Sequence, residues 1–248
     1  MFDPFNDYDD VGYLRNNLKE KDIFLVKKLE HDSYNANLDE AISYSIDQDY
    51  LNYEHFLNVH KILFSDLYPW AGQDRFEIAK NIAVSKANIF FSHPFDIRLA
   101  VNEGLNISQT KNQMDYRLGE VMGLFAYGHP FLDGNGRTML IIHSTLCYKA
   151  GFSIDWKKTN KNDYLKLLSQ EIENPAKGIL DNYLLKFKTD PLNLKEIHNQ
   201  LSTINGLDGL DDNNEENDIN NKNIIKSYQQ FENKRNYKIQ NKSDYRKN

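Results

Sequence analysis

The sequence predicts an all-α protein, a helical bundle with one short β-hairpin, followed by a flexible tail. Apolar residues recur at helical spacing through most of the first 188 positions. Only 73–92 carries β-favouring runs, and beyond about Leu194 the composition turns polar and charged.

Each element follows from local pattern. Over 52–67, Phe56, Val59, Leu63 and Leu67 fall on one stripe, which Tyr68-Pro69-Trp70-Ala71-Gly72 closes. Ile82-Ala83-Val84 and Ile89-Phe90-Phe91 flank Ser85-Lys86-Ala87-Asn88, a hairpin pattern. Leu118, Val121, Met122 and Phe125 repeat at i, i+3, i+4, i+7, and Met139, Ile142, Leu146 and Ala150 continue the repeat, so a loop at 129–137 joins two core helices. Tyr164, Leu165, Leu168 and Ile172 share one face of a helix over 161–173, and a further helix is predicted over 178–187. The chain thus divides into a domain, 1–194, and a flexible tail, 195–248. Residues 207–221 read as an acidic disordered linker without a core. From Lys222 to Lys247 the tail turns basic, the reading being a solvated charged segment, with partner docking, export or nucleic-acid contact as alternatives.

Charge and cysteine content narrow the function classes. A formal charge of −6 gives no general attraction to nucleic acid, which is expected only through the basic tail. The single Cys147 rules out an internal disulfide or a zinc site of several cysteines and points to a reducing compartment. The first ten residues are acidic where a signal peptide would be basic, and no apolar run reaches the roughly 18 residues of a membrane span. A cytoplasmic protein without membrane contact is expected, and delivery into another cell by a secretion system is compatible with that.

The segment His129-Pro130-Phe131-Leu132-Asp133-Gly134-Asn135-Gly136-Arg137 carries the chemistry. Gly134, Asn135 and Gly136 admit backbone angles that let successive N–H groups converge on an anion. The next helix begins there and adds the positive end of its dipole. Arg137 supplies an always charged fork for phosphate oxygens. Asp133 would repel a phosphate unless a divalent cation lies between them, and Mg²⁺ suits that bridge. His129 is the group in the loop able to take a proton from an incoming nucleophile. Phe131 is expected to serve packing, and His143 to be a core residue.

The loop resembles the signature of the Fic family, His-Pro-Phe-x-Asp/Glu-Gly-Asn-Gly-Arg-x-x-Arg, and the resemblance extends over about residues 10–188. It implies a Fic-type helical bundle with a flap at about 73–92 and the catalytic loop at 129–137. The implied activity is protein adenylyltransfer: AMP moves from ATP to a Ser, Thr or Tyr hydroxyl of a target protein, and pyrophosphate leaves. In that reading His129 is the base, Asp133 holds Mg²⁺, Gly134, Asn135 and Gly136 grip phosphate, and Arg137 neutralises the leaving group. Ser85 and Lys86 lie on the flap, which binds an extended stretch of the target by strand addition. Such a protein would act as a toxin or effector.

The signature breaks at its second Arg, where this chain has Leu140. The family's inhibitory motif, Ser/Thr-x-x-x-Glu-Gly/Asn, has one literal match, Ser169 to Asn174, read here as chance within a core helix. Near Leu201–Gly206, Asn205 stands where the Glu would be. Either the activity is unrestrained in this chain, or a separate antitoxin-like partner inhibits it, or the donor differs from ATP, as in relatives that transfer UMP, phosphocholine or phosphate. A catalytically silent nucleotide-binding module is the alternative of a different class.

Overall fold

The computed structural model describes residues 1–109, 111–204 and 214–238. In chain order they form α1 (Tyr8–Val11), α2 (Ile23–Asp47), α3 (Tyr53–Phe64), α4 (Arg75–Ile78), β1 (Ile82–Lys86), β2 (Ile89–Phe90), α5 (Ile97–Ser108), α6 (Lys111–Gly128) and α7 (Asn135–Lys149). There follow β3 (Ser153–Ile154), α8 (Lys161–Glu173), α9 (Ile179–Leu184), β4 (Lys188–Thr189), α10 (Leu194–Leu201), β5 (Asn214–Asp218) and α11 (Lys222–Arg235). The fold is mostly helical with two small antiparallel sheets, as the periodicity predicts.

The bundle is built on α6 and α7. Leu118, Val121, Met122 and Phe125 of α6 are all buried, at about 1.5–3 kcal/mol per side chain. In α7 the residues from Arg137 to His143 are buried without interruption, so it runs through the centre of the bundle. A kink at Arg117 (φ −117°, ψ 22°) breaks the helical ladder of α6. The N–H groups of Gly119 and Glu120 then donate to Asp181 at 2.7 and 3.3 Å, so α9 caps the restarted helix. Gly119 permits that approach, because a Cβ there would lie 2.2 Å from the Asp181 nitrogen.

Other helix ends obey local rules. Asp22 caps α2 through the N–H groups of Phe24 and Leu25, and Asn52 with His55 forms a reciprocal capping box on α3. The predicted hairpin is present, with Ser85 opposite Phe90 and Lys86 opposite Ile89.

The tail is where the structure corrects the sequence reading. Ile197 and Leu201 of α10 are buried, and the Tyr34 hydroxyl donates to the Leu201 carbonyl at 3.1 Å, so the packed domain does not stop at 194. Residues 214–218, read as linker, form β5 and pair with β1 in the order β2-β1-β5. The basic segment forms α11, whose Phe231 and Arg235 are buried. Arg235 donates to the Ile172 carbonyl at 2.8 Å and stacks its guanidinium 3.4 Å over the Tyr127 ring, while Tyr228 donates to the Phe91 carbonyl. A few aromatic and cationic anchors at i, i+3 and i+7 hold a helix whose average composition is polar. The remainder of the predicted tail, 205–213 and 239–248, lies outside the described residues, and with it Asn205.

Candidate active site

The signature loop leaves α6 through His129, whose φ of 43° turns the chain sharply. Arg75, fully buried in α4, clamps this turn. Its Nε donates to the His129 carbonyl at 2.7 Å, its guanidinium reaches the Ser92 carbonyl at 2.9 Å, and its own N–H donates to the Pro130 carbonyl at 2.7 Å. The loop is closed from within by Asn135. Its side-chain oxygen accepts from the Phe131 N–H at 2.9 Å and its amide donates to the Phe131 carbonyl at 2.7 Å. The Asn135 side chain is therefore committed to the loop rather than directed at a phosphate, a departure from the role carried over from the resemblance.

Gly134 starts α7 with φ +74°, and a Cβ there would lie 2.5 Å from the Phe64 ring. Only glycine fits that place. The first helical hydrogen bond runs from the Thr138 N–H to the Gly134 carbonyl at 3.0 Å. Asn135 and Gly136 thus lie in the turn whose N–H groups have no carbonyl one turn back. A Cβ on Gly136 would meet nothing within 4 Å, because open space adjoins it.

That space is a cavity of about 390 Å³, lined by His129, Asp133, Gly134, Asn135, Gly136 and Arg137 from the loop. Lys86 of the hairpin, Leu140 of α7 and Ser169 of α8 also reach it. Structure thus gathers His129, Asp133, Gly134, Asn135, Gly136, Arg137 and Lys86 round one volume. Ser85 is buried within β1 and does not line the cavity. In the literal inhibitory match Glu171 and Ile172 are buried, and Glu173 pairs with Lys234 at 3.0 Å.

His129 stacks on Phe91, ring centroids 3.7 Å apart and 8° from parallel, and its Nε2 is buried without a hydrogen-bond partner. Burial first, then the charges of Arg75 and Lys86, hold its pKa well below the usual histidine value. The imidazole is neutral at physiological pH, with an unshared pair available to accept a proton.

Two residues the sequence reading did not single out complete the site. Lys27 and Glu30 of α2 are buried, and they meet the loop as a four-charge group. The Lys27 ammonium donates to Asp133, Arg137 ion-pairs with Glu30, Lys27 lies 3.6 Å from Glu30, and Arg137 lies 3.6 Å from Asp133. Two cations and two anions balance, which is how such groups tolerate burial. A sequence signal for them exists: Glu30 stands four residues from Val26 and from Tyr34, on the buried stripe of α2. His60 was likewise missed as a support. Gly72 donates to its Nδ1 at 3.0 Å, so Nε2 carries the proton given to the Asp133 carbonyl at 3.0 Å. Burial lowers its pKa to about 3, and its ring stacks 3.7 Å from Phe131, which serves packing as expected. His143 is also a core residue, its Nε2 paired with the Leu118 carbonyl at 2.8 Å.

The expected Mg²⁺ ligand, Asp133, is already engaged on both oxygens. Lys27 holds Oδ2, and the Gly134 N–H donates to Oδ1 at 2.7 Å. A divalent ion on this carboxylate would lie against an ammonium, so the residues as placed do not fit a resident metal unless Lys27 withdraws.

Fold and loop resemble those of the Fic/DOC family, whose family model matches residues 50–147. Among curated proteins it is 29% identical over 173 residues to the protein adenylyltransferase VbhT of Bartonella schoenbuchensis. That alignment covers 65% of this chain and 34% of VbhT, so the chain spans about a third of that relative. It is 28% identical over 171 residues to the probable protein adenylyltransferase y4lH of Sinorhizobium fredii, covering 64% of the chain and 82% of y4lH. Among solved structures, the N-terminal Fic domain of a VirB-translocated effector from Bartonella quintana, with bound ADP, superposes with a TM-score of 0.63 at 17% identity. It covers 76% of this chain and 96% of that one. The BepC protein of Bartonella tribocorum, with bound AMPPNP, gives 0.59 at 15% identity, covering 74% and 95%. At those identities the likeness establishes the fold.

Proposed function

We propose that the protein transfers AMP from ATP to a Ser, Thr or Tyr hydroxyl of an acceptor protein. One observation carries the reading: a neutral histidine with an unpartnered Nε2 shares a cavity with the start of α7 and with Arg137. The acceptor hydroxyl gives its proton to His129 as its oxygen attacks the α-phosphorus. The Asn135 and Gly136 N–H groups and the helix dipole receive the phosphate oxygens. Arg137, shared with Glu30, neutralises the pyrophosphate that departs. Names of the two curated relatives support the activity, and the ADP and AMPPNP in the structural neighbours support a nucleotide in the cavity. A divalent ion, if the donor brings one, must compete with Lys27 for Asp133.

Leu140 favours a second reading. It is 3% exposed in the cavity wall, where the signature has its second Arg, so a γ-phosphate loses one charge-assisted bond of about 1.5–3 kcal/mol. The second reading is a donor other than ATP: a phosphocholine donor has no γ-phosphate to hold, and a donor of UMP or phosphate would place its γ-phosphate elsewhere than at position 140.

Intact-mass spectrometry of the protein with a cell lysate and each nucleoside triphosphate in turn tests both. A gain equal to AMP on the protein or on an acceptor is expected with ATP, and its loss in a folded His129→Ala variant. A gain of UMP or phosphate instead selects the second reading, and labelling that survives His129→Ala refutes the role of the loop. Beyond the catalytic step, we propose that the acceptor's origin is a host or competitor cell, on the strength of the translocated effectors that share the fold. No helix among the described residues is long and apolar enough to cross a membrane.

A further inference from the structure

The hairpin has two edges, and both are covered. On the β2 side, Phe90 lies 5.5 Å from the Tyr228 ring and 6.0 Å from Phe231. The outer edge of β1 carries β5, in antiparallel register from Ile82 opposite Asp218 to Lys86 opposite Asn214. Phe91 donates to the Val84 carbonyl at 3.1 Å, and Ile219 donates to the Asn81 carbonyl at 2.9 Å. Antiparallel alternation then turns the backbone groups of Val84 and Lys86 toward β2, and those of Ala83 and Ser85 toward β5.

The segment Asn214-Glu215-Glu216-Asn217-Asp218 has no β-branched or aromatic residue and carries three carboxylates. Intrinsic preference does not make it a strand. Pairing with an open sheet edge does, by the main-chain bonds through which extended peptides add to sheets. None of the five residues has a hydroxyl. The first, Asn214, stands in the cavity wall with His129 and Lys86, and its Oδ1 is buried without a hydrogen-bond partner.

We infer that residues 214–218 are an internal pseudo-acceptor: they hold the β1 edge on which an acceptor segment docks, and present Asn214 where an acceptor hydroxyl enters. This rests on the transferase reading and on the flap docking that the resemblance implies. The acceptor is an extended segment, read through its backbone, with Ser, Thr or Tyr at the position opposite Lys86. An edge pairs with one strand at a time, so the acceptor must displace β5. Asn214 is inert there, because the lone pair of its amide nitrogen is delocalised into the carbonyl.

The inference predicts a gain of function. With a hydroxyl at 214, the side-chain oxygen attacks the α-phosphorus of the nucleoside triphosphate, forming a phosphoester. The bond between the α-phosphorus and the bridging oxygen breaks, pyrophosphate leaves with the electron pair, and the hydroxyl proton passes to His129 Nε2. Full-length Asn214→Ser and Asn214→Tyr, with Asn214→Ala as control, are incubated with each nucleoside triphosphate and mapped by peptide mass spectrometry. At least one hydroxyl variant is expected to carry a nucleotidyl group at 214, at a first-order rate independent of protein concentration. Adding Asn217→Pro, which removes the N–H facing Ala83, is expected to abolish that product. In the Asn217→Pro chain the Ala83 and Ser85 amides are also expected to exchange at least about tenfold faster than in the parent.

An unmodified 214 in both variants, while another residue or an added lysate protein is labelled, overturns the inference and leaves the transferase reading standing. A rate that grows with protein concentration overturns it as well, because the modification is then between molecules. If nothing is labelled by any chain, the transferase reading fails and takes the pseudo-acceptor with it. Unchanged exchange at Ala83 and Ser85 refutes the pairing itself, whatever the labelling.

Discussion

Replacing Lys27 by Met keeps most of the side-chain volume and removes the one ammonium that joins α2 to the catalytic loop. The parent group of Lys27, Glu30, Asp133 and Arg137 balances in charge, with all four side chains 4% exposed or less. Without Lys27 it carries one excess negative charge out of water. Breaking a buried pair by removing one partner costs about 3–5 kcal/mol, which lowers the melting temperature of a chain this size by roughly 6–20 °C. The urea midpoint should fall with an unchanged slope. The same change opens Asp133 to a divalent ion. Mg²⁺ at a hundredfold excess over its dissociation constant would restore about 2.7 kcal/mol in the variant and little in the parent. The assay is urea unfolding of both proteins, with and without MgCl₂. A loss below about 1 kcal/mol, or an equal Mg²⁺ effect on parent and variant, would refute the reasoning that Lys27 takes the metal's place.

Three further outcomes follow from burial. His129, His60 and His143 have pKa values lowered by burial, the latter two to about 3 and about 4, so the unfolded chain binds protons that the folded chain refuses. Stability should therefore rise with pH up to about 6.5 and fall below it, by a limiting slope near 1.4 kcal/mol per pH unit for each histidine. Equal urea midpoints at pH 5.5 and 7.5 in the parent, with no difference on replacing His60 or His143 by a neutral residue, would contradict this; the raised carboxylates Glu171 and Asp181 act in the opposite sense, losing stability as pH rises above their ordinary values. Transfer should likewise show no acid limb near pH 6.5, because His129 is already deprotonated there. Phe231→Ala should cost about 3 kcal/mol through the cavity it leaves beside Phe90, and speed amide exchange throughout α11; protection equal to the parent's would show that the helix is held by its polar anchors alone.

Local pattern alone made a good deal legible: the helices flanking the loop, the hairpin, and the candidates His129, Asp133, Gly134, Gly136 and Arg137, which the structure gathers round one cavity. These depend on periodicity and on side-chain chemistry within a few positions, which a linear reading contains. Tertiary structure decided the rest. Lys27 reaches Asp133 across 106 residues, and no spacing rule relates them. Asn135, assigned to phosphate by its place in the motif, closes the loop instead, because buried backbone groups of Phe131 needed partners. Residues 214–218 became a strand and 222–235 a docked helix against their composition. An open strand edge and a few well-placed anchors are properties of the folded surface, and they outweigh the weak preferences of the segments that settle on them.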